Sequence, residues 1–333
     1  MVETMADTMA DPMPKAATPK RFRSIYIEIT NQCNRACAFC PGTERQPARM
    51  DMELFRLAVD QAAPLAEQIY PHVLGEPLTH PEFASFVAYC AEKGVPMAVT
   101  TNGTRITGPA GEALLNPIVT QVNFSLHGLD PTIEGDRRIF GSILDFIVRA
   151  LVSRPELYLN LRLWNLNKRD DPVARETNAY FLTRTEERFS LAPGCSGAPN
   201  TRKSRRLTGR LYLHSDTLFE WPGEGPSTIG SETSNCLQAD TNEQAPTGEA
   251  NSRGTCRALD THCAILADGT VVPCCLDRNG GLNLGSIREQ SLADILDSPR
   301  ARGMKDGFSR GELLERQCRH CGYRQRFDKR IKA

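Results

Sequence analysis

The first half of the chain alternates short segments of strand type with segments of helical periodicity, and this repeat limits the possible folds more than any other feature. Residues 25–30 alternate apolar and polar side chains as a strand does, and residues 52–67 place apolar side chains on one helical face. Further predicted strands cover 68–74, 97–101, 119–126 and 158–164, and further predicted helices cover 81–93 and 143–152. Repeated strand–helix units predict a mostly parallel α/β sheet, either closed as a barrel or left open.

Polar and metal-binding residues follow the predicted strands. Cys33 follows the first strand, Gly75-Glu76 the second and Asn102 the third, and Ser125 lies near the end of the fourth. In both types of parallel sheet, active sites lie at the C-terminal ends of the strands. We therefore expect these residues to share one rim of the fold.

Three cysteines, Cys33, Cys37 and Cys40, form a C-x3-C-x2-C run directly after the first predicted strand. Three thiolates hold three corners of a four-iron cluster and leave the fourth iron free for an outside ligand. A structural metal site normally closes its shell with four protein ligands. Zinc completed by a distant fourth ligand remains an alternative for this run.

A second cysteine group occupies the C-terminal part of the chain. Residues 264–273 predict a hairpin around Asp268-Gly269 that leads into Cys274-Cys275, and the chain ends with a C-x2-C pair, Cys318 and Cys321. Cys256 and Cys263 precede the hairpin. This group can bind an iron–sulfur cluster or form a four-cysteine zinc site, because both metals use such spacing.

The first run resembles the cluster loop of the radical S-adenosylmethionine (SAM) enzymes, including the aromatic Phe39 before the last cysteine. Residues 75–78 (Gly-Glu-Pro-Leu), 100–103 (Thr-Thr-Asn-Gly) and 125–128 (Ser-Leu-His-Gly) resemble further strand ends of that family. The resemblance implies an α/β fold, a partial (β/α)6 TIM-like barrel. It also implies a 4Fe-4S cluster on Cys33, Cys37 and Cys40 whose open iron binds the amino and carboxylate groups of SAM. An electron from the cluster then splits SAM into methionine and a 5′-deoxyadenosyl radical.

The same resemblance implies the residues that bind SAM. Gly75 and Glu76 belong to the element that contacts its amino group, and Ser125 is a candidate for its carboxylate or ribose. Thr101 and Asn102 are expected to line the pocket near SAM or the substrate, and Phe39 is expected beside the cofactor. No catalytic residue is assigned beyond the cluster.

The C-terminal group resembles the SPASM domain of radical SAM maturases and dehydrogenases, which holds auxiliary four-iron clusters. The cysteine count suits one auxiliary 4Fe-4S cluster. The expected ligands are Cys256, Cys274, Cys318 and Cys321, with Cys275 as the alternative to Cys274.

The 333 residues suggest one large domain or two smaller ones. We expect a disordered tail over 1–20, the main part of the radical SAM core over 21–165, and a SPASM-type module over 254–333. Residues 166–253 lose periodicity and are expected to be an irregular segment that completes the core or forms a substrate-specific insertion.

Composition narrows the partners and the location. Lys plus Arg equals Asp plus Glu at 40 each, which does not favour a nucleic-acid partner. No apolar run approaches the roughly 18 residues of a membrane span, and the N-terminal segment has no apolar core of a secretory signal. Without an export signal, we expect a cytoplasmic protein whose twelve cysteines serve metals instead of disulfides.

Together these patterns predict a radical SAM oxidoreductase of maturase type. It would cleave SAM reductively, abstract hydrogen from a peptide, protein or small-molecule substrate, and take electrons from reduced flavodoxin or ferredoxin. The alternative is a non-catalytic zinc or iron–sulfur protein that carries electrons or docks a partner.

Overall fold

The structure, a computed structural model, describes residues 21–164, 171–194, 204–217, 219, 221–222 and 252–327. The expected tail over 1–20 lies outside the described residues, as does the Gly- and Thr-rich stretch 223–251.

The strands form one ten-stranded sheet. In chain order they are β1 (Phe22–Ile27), β2 (Ala66–Tyr70), β3 (Met97–Thr101), β4 (Val119–Ser125), β5 (Tyr158–Leu163), β6 (Ser204–Thr208), β7 (Leu211–Ser215), β8 (His262–Ile265), β9 (Thr270–Val272) and β10 (Gly285–Ser286). The order across the sheet is β10-β9-β8-β1-β2-β3-β4-β5-β7-β6.

Strands β1 to β5 and β7 are mutually parallel neighbours, which is the arrangement of the partial (β/α)6 barrel. Their C-terminal ends therefore meet at one edge, as the sequence predicts. The α/β fold class is confirmed.

The described residues form eight α-helices; the first five lie along the chain among the strands of the parallel sheet, and the last three belong to the C-terminal module. They are α1 (Met52–Ala62), α2 (Phe83–Lys93), α3 (Pro109–Ala113), α4 (Glu134–Ser153), α5 (Pro172–Arg188), α6 (Leu292–Leu296), α7 (Pro299–Arg310) and α8 (Arg316–Arg319). Their apolar faces are buried; for example, Phe55 of α1 stacks on Phe86 of α2 with ring centroids 4.1 Å apart. Such burial stabilises the layered fold.

The elements differ from the sequence-based bounds in places. Helix α1 ends at Ala62, not at residue 67, because Pro64 has no N–H to continue it, and β2 begins at Ala66. Helix α4 begins nine residues before the predicted 143, at Glu134. Helix α2 ends as expected at Gly94, which takes the left-handed conformation with φ of 64°.

The segment expected to be irregular contains regular structure. Helix α5 and the β6–β7 hairpin lie within it, and β7 adds a parallel strand beside β5.

The C-terminal cysteine-rich module joins the barrel through the sheet. Its first strand, β8, pairs in parallel with β1, and β8 and β9 form the predicted hairpin around Asp268-Gly269. This pairing carries Cys274 and Cys275, which follow β9, toward the rim of the barrel. Among the described residues, none of the helices has the length and apolar character that a bilayer span requires.

Candidate functional site

A cavity of about 620 Å³ opens at the rim formed by the C-terminal strand ends. Both cysteine groups face it. Its lining includes Cys33, Cys40, Cys256, Cys274, Cys275, Cys318 and Cys321. The fold therefore brings two segments more than 200 positions apart in sequence into one site.

The loop after β1, which carries Cys33, Cys37 and Cys40, is fixed at several points. Arg35 forms a bidentate ion pair with Asp136 of α4, with N–O distances of 2.8 and 2.7 Å. Asp136 is only 5% exposed, and its Oδ2 also accepts a hydrogen bond from the Asp130 N–H. Burial alone would raise the pKa of Asp136, but Arg35 and the Asp130 N–H hold it below its usual value. The pair anchors the cysteine loop to the outer helix layer.

Gly75 is required by this loop. It has a φ of 75°, and a Cβ there would lie 2.4 Å from the carbonyl oxygen of Thr30 and 2.8 Å from that of Gln32. The glycine thus allows the segment after β2 to pack directly against the backbone that leads into Cys33. Gly75 therefore packs closely against the cysteine loop, and it also lines the cavity.

The Glu76 carboxylate is buried and its oxygens accept three hydrogen bonds. Oε1 accepts from the Thr101 hydroxyl at 2.7 Å and from the Leu78 N–H at 3.1 Å, and Oε2 accepts from the Asn102 N–H at 2.7 Å. Burial raises the pKa of Glu76 to about 7, against the opposing effect of these bonds. The carboxylate holds the ends of β2 and β3 together.

Only some of the remaining residues that were expected to contact SAM line the cavity. Phe39 and Ser125 line the cavity, whereas Thr101 is 1% exposed and is not among the lining residues. Thr100 lines the cavity in its place, because successive side chains of a strand point to opposite faces. Asn102 is not among the lining residues either, and its amide nitrogen lies 3.9 Å from the Cys33 sulfur and 3.0 Å from the Asn34 side chain.

The C-terminal cysteines are close to one another and mostly buried. Burial raises the pKa of the Cys274 thiol, and the neighbouring Cys275 and Cys256 raise it further. Burial likewise raises the pKa of Cys318 to about 12. The Ala258 N–H donates to the Cys256 sulfur at 3.4 Å. Such thiols bind metal as thiolates once a cation offsets the cost of their charge.

Both cysteine groups suit iron–sulfur ligation in residue type. All ten cysteines of the described residues are free thiols, and backbone or amide N–H groups approach sulfur in each group. In the described side-chain positions, no set of three His, Cys, Asp or Glu groups converges tightly enough for a single metal ion. The thiols and the N–H groups beside them fit an iron–sulfur cluster in donor type.

Aromatic side chains form the wall between the two cysteine groups. His127 stacks on Trp164 with ring centroids 5.3 Å apart, contacts Phe39 at 4.7 Å, and places Nδ1 3.2 Å from the Arg162 carbonyl oxygen. Burial lowers the pKa of His127 to about 4, so the ring is neutral at physiological pH. Its contacts make it a packing residue of the wall.

Several residues that line the cavity were not predicted from the sequence, notably Arg162, Trp164, Tyr26 and Tyr70. Arg162 and Trp164 lie at the end of β5, which the sequence does predict as a strand. The rule that placed Ser125 on the rim could have placed them there too.

Glu28 connects the barrel rim to the C-terminal cysteine module. Its carboxylate is fully buried and accepts from Arg45 Nη2 at 2.7 Å, from the Leu74 N–H at 3.2 Å and from the Ala267 N–H at 3.1 Å. These donors belong to the cysteine loop, the segment after β2 and the C-terminal hairpin. One side chain thus ties the rim to the second cysteine module.

Comparison with known proteins identifies both halves of this site. The Radical SAM superfamily profile matches residues 27–152, and the profile of SPASM, an iron–sulfur cluster-binding domain, matches residues 256–322. A tungsten-containing aldehyde ferredoxin oxidoreductase cofactor-modifying protein from Pyrococcus furiosus is 26% identical, with 91% of this chain and 88% of that protein aligned.

Two solved structures share the fold. BtrN in complex with AdoMet and 2-DOIA matches with a TM-score of 0.53 at 18% identity, over 91% of this chain and 94% of that one. Streptococcus suis SuiB bound to its precursor peptide SuiA matches with a TM-score of 0.52 at 15% identity, over 91% and 70%.

Proposed function

The chain belongs to the radical SAM superfamily and carries a SPASM iron–sulfur cluster-binding domain, and from this premise we propose that it modifies a peptide or protein side chain. It is an enzyme of maturase type that uses a SAM-binding 4Fe-4S cluster, SAM and an auxiliary iron–sulfur cluster. When bound, these groups supply abstraction of a hydrogen atom from an unreactive C–H bond by the 5′-deoxyadenosyl part of SAM.

We assign the first cluster to Cys33, Cys37 and Cys40. Cys33 and Cys40 face the cavity, which supports an open coordination position on that side. We assign the auxiliary cluster to Cys256, Cys274, Cys318 and Cys321, with Cys275 as the alternative to Cys274.

The residues around the first cysteine loop position SAM. We propose that Gly75 and Ser125 contact it directly, since both line the cavity. Glu76, Thr101 and Asn102 support that wall from behind through the hydrogen bonds of the buried carboxylate. Phe39, His127 and Trp164 exclude water from the space beside SAM.

The shared cavity carries the proposal of a peptide or protein substrate. It opens at the rim, extends from the first cysteine loop to the C-terminal module, and has a volume of about 620 Å³. SuiB, whose structure holds a precursor peptide, has the same fold, and the Pyrococcus furiosus relative is named for modification of a cofactor. An open cavity can admit a side chain that is still attached to a polypeptide, whereas an enclosed cavity suits a small molecule.

Further proposals follow from the cysteine usage. A cluster with an open iron needs a low-potential donor, so we propose reduced flavodoxin or ferredoxin as the electron source. The ten cysteines within the described residues are free thiols, which suits a reducing compartment such as the cytoplasm. We also propose the division into a core over 21–165, a completing segment over 166–253 and the auxiliary module over 254–333.

The enzyme activity is tested by anaerobic reconstitution with iron and sulfide, reduction, and measurement of 5′-deoxyadenosine formed from SAM. The expected result is about four irons per cluster and 5′-deoxyadenosine formation. Zinc as the bound metal, with no SAM cleavage, would support the non-catalytic alternative.

The substrate class needs a separate measurement. The enzyme is incubated with SAM and either the peptide–protein or the small-molecule fraction of a cell extract labelled uniformly with deuterium. Deuterium in 5′-deoxyadenosine from the peptide–protein fraction supports the proposal. Deuterium transfer from the small-molecule fraction alone would contradict it.

A further inference from the structure

Three polar groups on the cavity wall have hydrogen-bonding capacity that the described residues do not use. Nε1 of Trp164 and Nδ1 of His72 are buried and have no hydrogen-bond partner among those residues. The Arg162 guanidinium stacks on the Trp164 ring at 4.1 Å but has no ion pair or side-chain hydrogen bond within the described chain. All three residues line the same cavity.

The fold places these groups together for a simple reason. Arg162 and Trp164 are two positions apart at the end of β5, so both point to the same side of the strand. His72 follows β2 and contacts Tyr26 and Tyr70, whose rings stack 4.9 Å apart. Burial and the nearby Arg162 lower the pKa of His72 to about 3, so the ring is neutral and carries one N–H.

Burial lowers the pKa of Arg162, and the charge of nearby Asp216 offsets this only in part. Asp216 lines the cavity, but it forms an ion pair with Arg326 at 2.9 Å. Arg324 donates to the Cys318 carbonyl oxygen and Arg257 lies over the Phe327 ring, so both belong to the cysteine-rich side. A partly buried cation whose charge is only partly compensated is costly, and an anion that reaches it gains charge-assisted hydrogen bonds.

This inference rests on the proposed function and specifies its substrate: we propose that Arg162, Trp164 and His72 form a subsite that binds a carboxylate of the substrate. The guanidinium supplies the charge and a bidentate hydrogen-bond pair, and the indole N–H adds a third donor. The carboxylate would be an acidic side chain or the C-terminus of a peptide. These three residues determine specificity and take no part in bond breaking.

SAM also carries a carboxylate, so SAM and the substrate are two different sources of the anion that Arg162 would bind. Ser125, which we assign to SAM, is the register partner of Arg162 across β4 and β5. The Arg162 head, however, lies near Tyr26, Tyr70, Tyr323 and Asp216, on the side of the C-terminal module. That position favours the substrate as the source.

The test uses 3-phenylpropionate and its neutral amide, 3-phenylpropanamide, as probes of the reconstituted protein. SAM is titrated first by anaerobic calorimetry, and each probe is then titrated into the SAM-saturated protein. We expect the acid to bind at least about tenfold more tightly than the amide, as one charge-assisted pair provides. Arg162→Gln should remove this preference and Arg162→Lys should retain part of it, with SAM affinity changed less than twofold in both.

Arg210→Gln is the matched control, because Arg210 stacks on Tyr158 at 4.5 Å in the same manner but does not line the cavity. It should keep the full preference. Equal binding of acid and amide, or binding of neither, would overturn the subsite. A loss of SAM affinity in Arg162→Gln that matches the loss of acid binding would assign Arg162 to SAM instead. Failure of the wild-type protein to bind or cleave SAM would refute the proposed function, a result distinct from these.

Discussion

The two cysteine groups use the same residue type in opposite surroundings. Cys33 and Cys40 are exposed on a loop of the barrel rim, whereas Cys321 is buried and Cys256, Cys274 and Cys318 are partly buried. Each group is organised by a buried carboxylate: Glu76 at the rim, and in the C-terminal module Asp277, which accepts from the N–H groups of residues 281 and 282 and from Gln317.

The difference in exposure matches the two roles that we propose, a reactive cluster at the rim and a closed auxiliary cluster in the C-terminal module. We propose that the three thiols on the accessible loop leave a coordination position toward the cavity, and that four cysteines of the C-terminal module complete the shell of the auxiliary cluster. The Glu28 contacts hold the two sites in one fixed arrangement. Changes to the rim should therefore affect SAM chemistry, and changes to the C-terminal module should affect the auxiliary cluster.

The largest expected effect separates the two groups directly. Cys37→Ala should lower 5′-deoxyadenosine formation more than about 100-fold, because loss of a ligand exceeds the effect of losing a supporting residue. Cys318→Ala should lose about four irons and keep SAM cleavage within about tenfold. Iron analysis and product quantification on the same anaerobic samples measure both quantities.

Cys90→Ala is the control, since Cys90 is buried in α2 outside both groups. It should retain both iron content and activity. Equal loss of SAM cleavage in Cys37→Ala and Cys318→Ala would show that the two sites are not functionally distinct.

The next effect concerns the anchor of the rim loop. Asp136→Ala leaves the partly buried Arg35 without its partner and should lower the free energy of unfolding by about 4 kcal/mol. Asp145→Ala, on the same helix, removes an exposed ion pair with Arg188 and should change it by no more than about 0.5 kcal/mol. Anaerobic urea denaturation of the reconstituted proteins measures the free energy of unfolding of both variants. Similar losses in the two variants would contradict the role of the Arg35–Asp136 pair as an anchor of the cysteine loop.

Glu76 should give the rim a distinct pH dependence. With its pKa raised to about 7, the folded protein keeps a proton that the unfolded chain releases near pH 4.5. The free energy of unfolding should therefore fall as pH rises from 4.5 to 7, by roughly 3 kcal/mol, and level off above that. The wild-type curve minus that of Glu76→Gln isolates this change, and a difference that stays constant over this pH range would contradict it.

The smallest expected effect tests the link between the regions. Glu28→Gln places an amide among three donors that need acceptors, which should destabilise the protein by about 2 kcal/mol. Glu289→Gln, an exposed change in the C-terminal module, should have little effect. Denaturation curves compare the two, and hydrogen exchange should show increased opening of the β8–β9 hairpin in Glu28→Gln only.

The sequence predicts strands β1 to β5 and both cysteine groups because their patterns are local. Alternation marks the strands, and the spacing of residues 33, 37 and 40 is visible directly. Helix α5 was not predicted, since its buried residues, Ala174, Phe181 and Thr185, form no continuous apolar face; Asp171-Pro172 at its start was the available signal.

The link between the two modules could not be predicted, because it depends on long-range packing. Nothing local indicates that β8 pairs with β1, and only that pairing brings Ala267 to Glu28. Likewise, the hydrogen-bonding groups of His72, Arg162 and Trp164 become a set only when β2 and β5 face one cavity.

The most direct test of the open coordination site is electron paramagnetic resonance of the reduced Cys318→Ala protein, in which only the first cluster should remain intact. Addition of SAM labelled with ¹⁷O at the carboxylate should shift the spectrum and introduce a hyperfine coupling to the label. A spectrum that is the same with and without labelled SAM would contradict a four-iron cluster that Cys33, Cys37 and Cys40 hold at three corners and whose fourth iron is open to SAM.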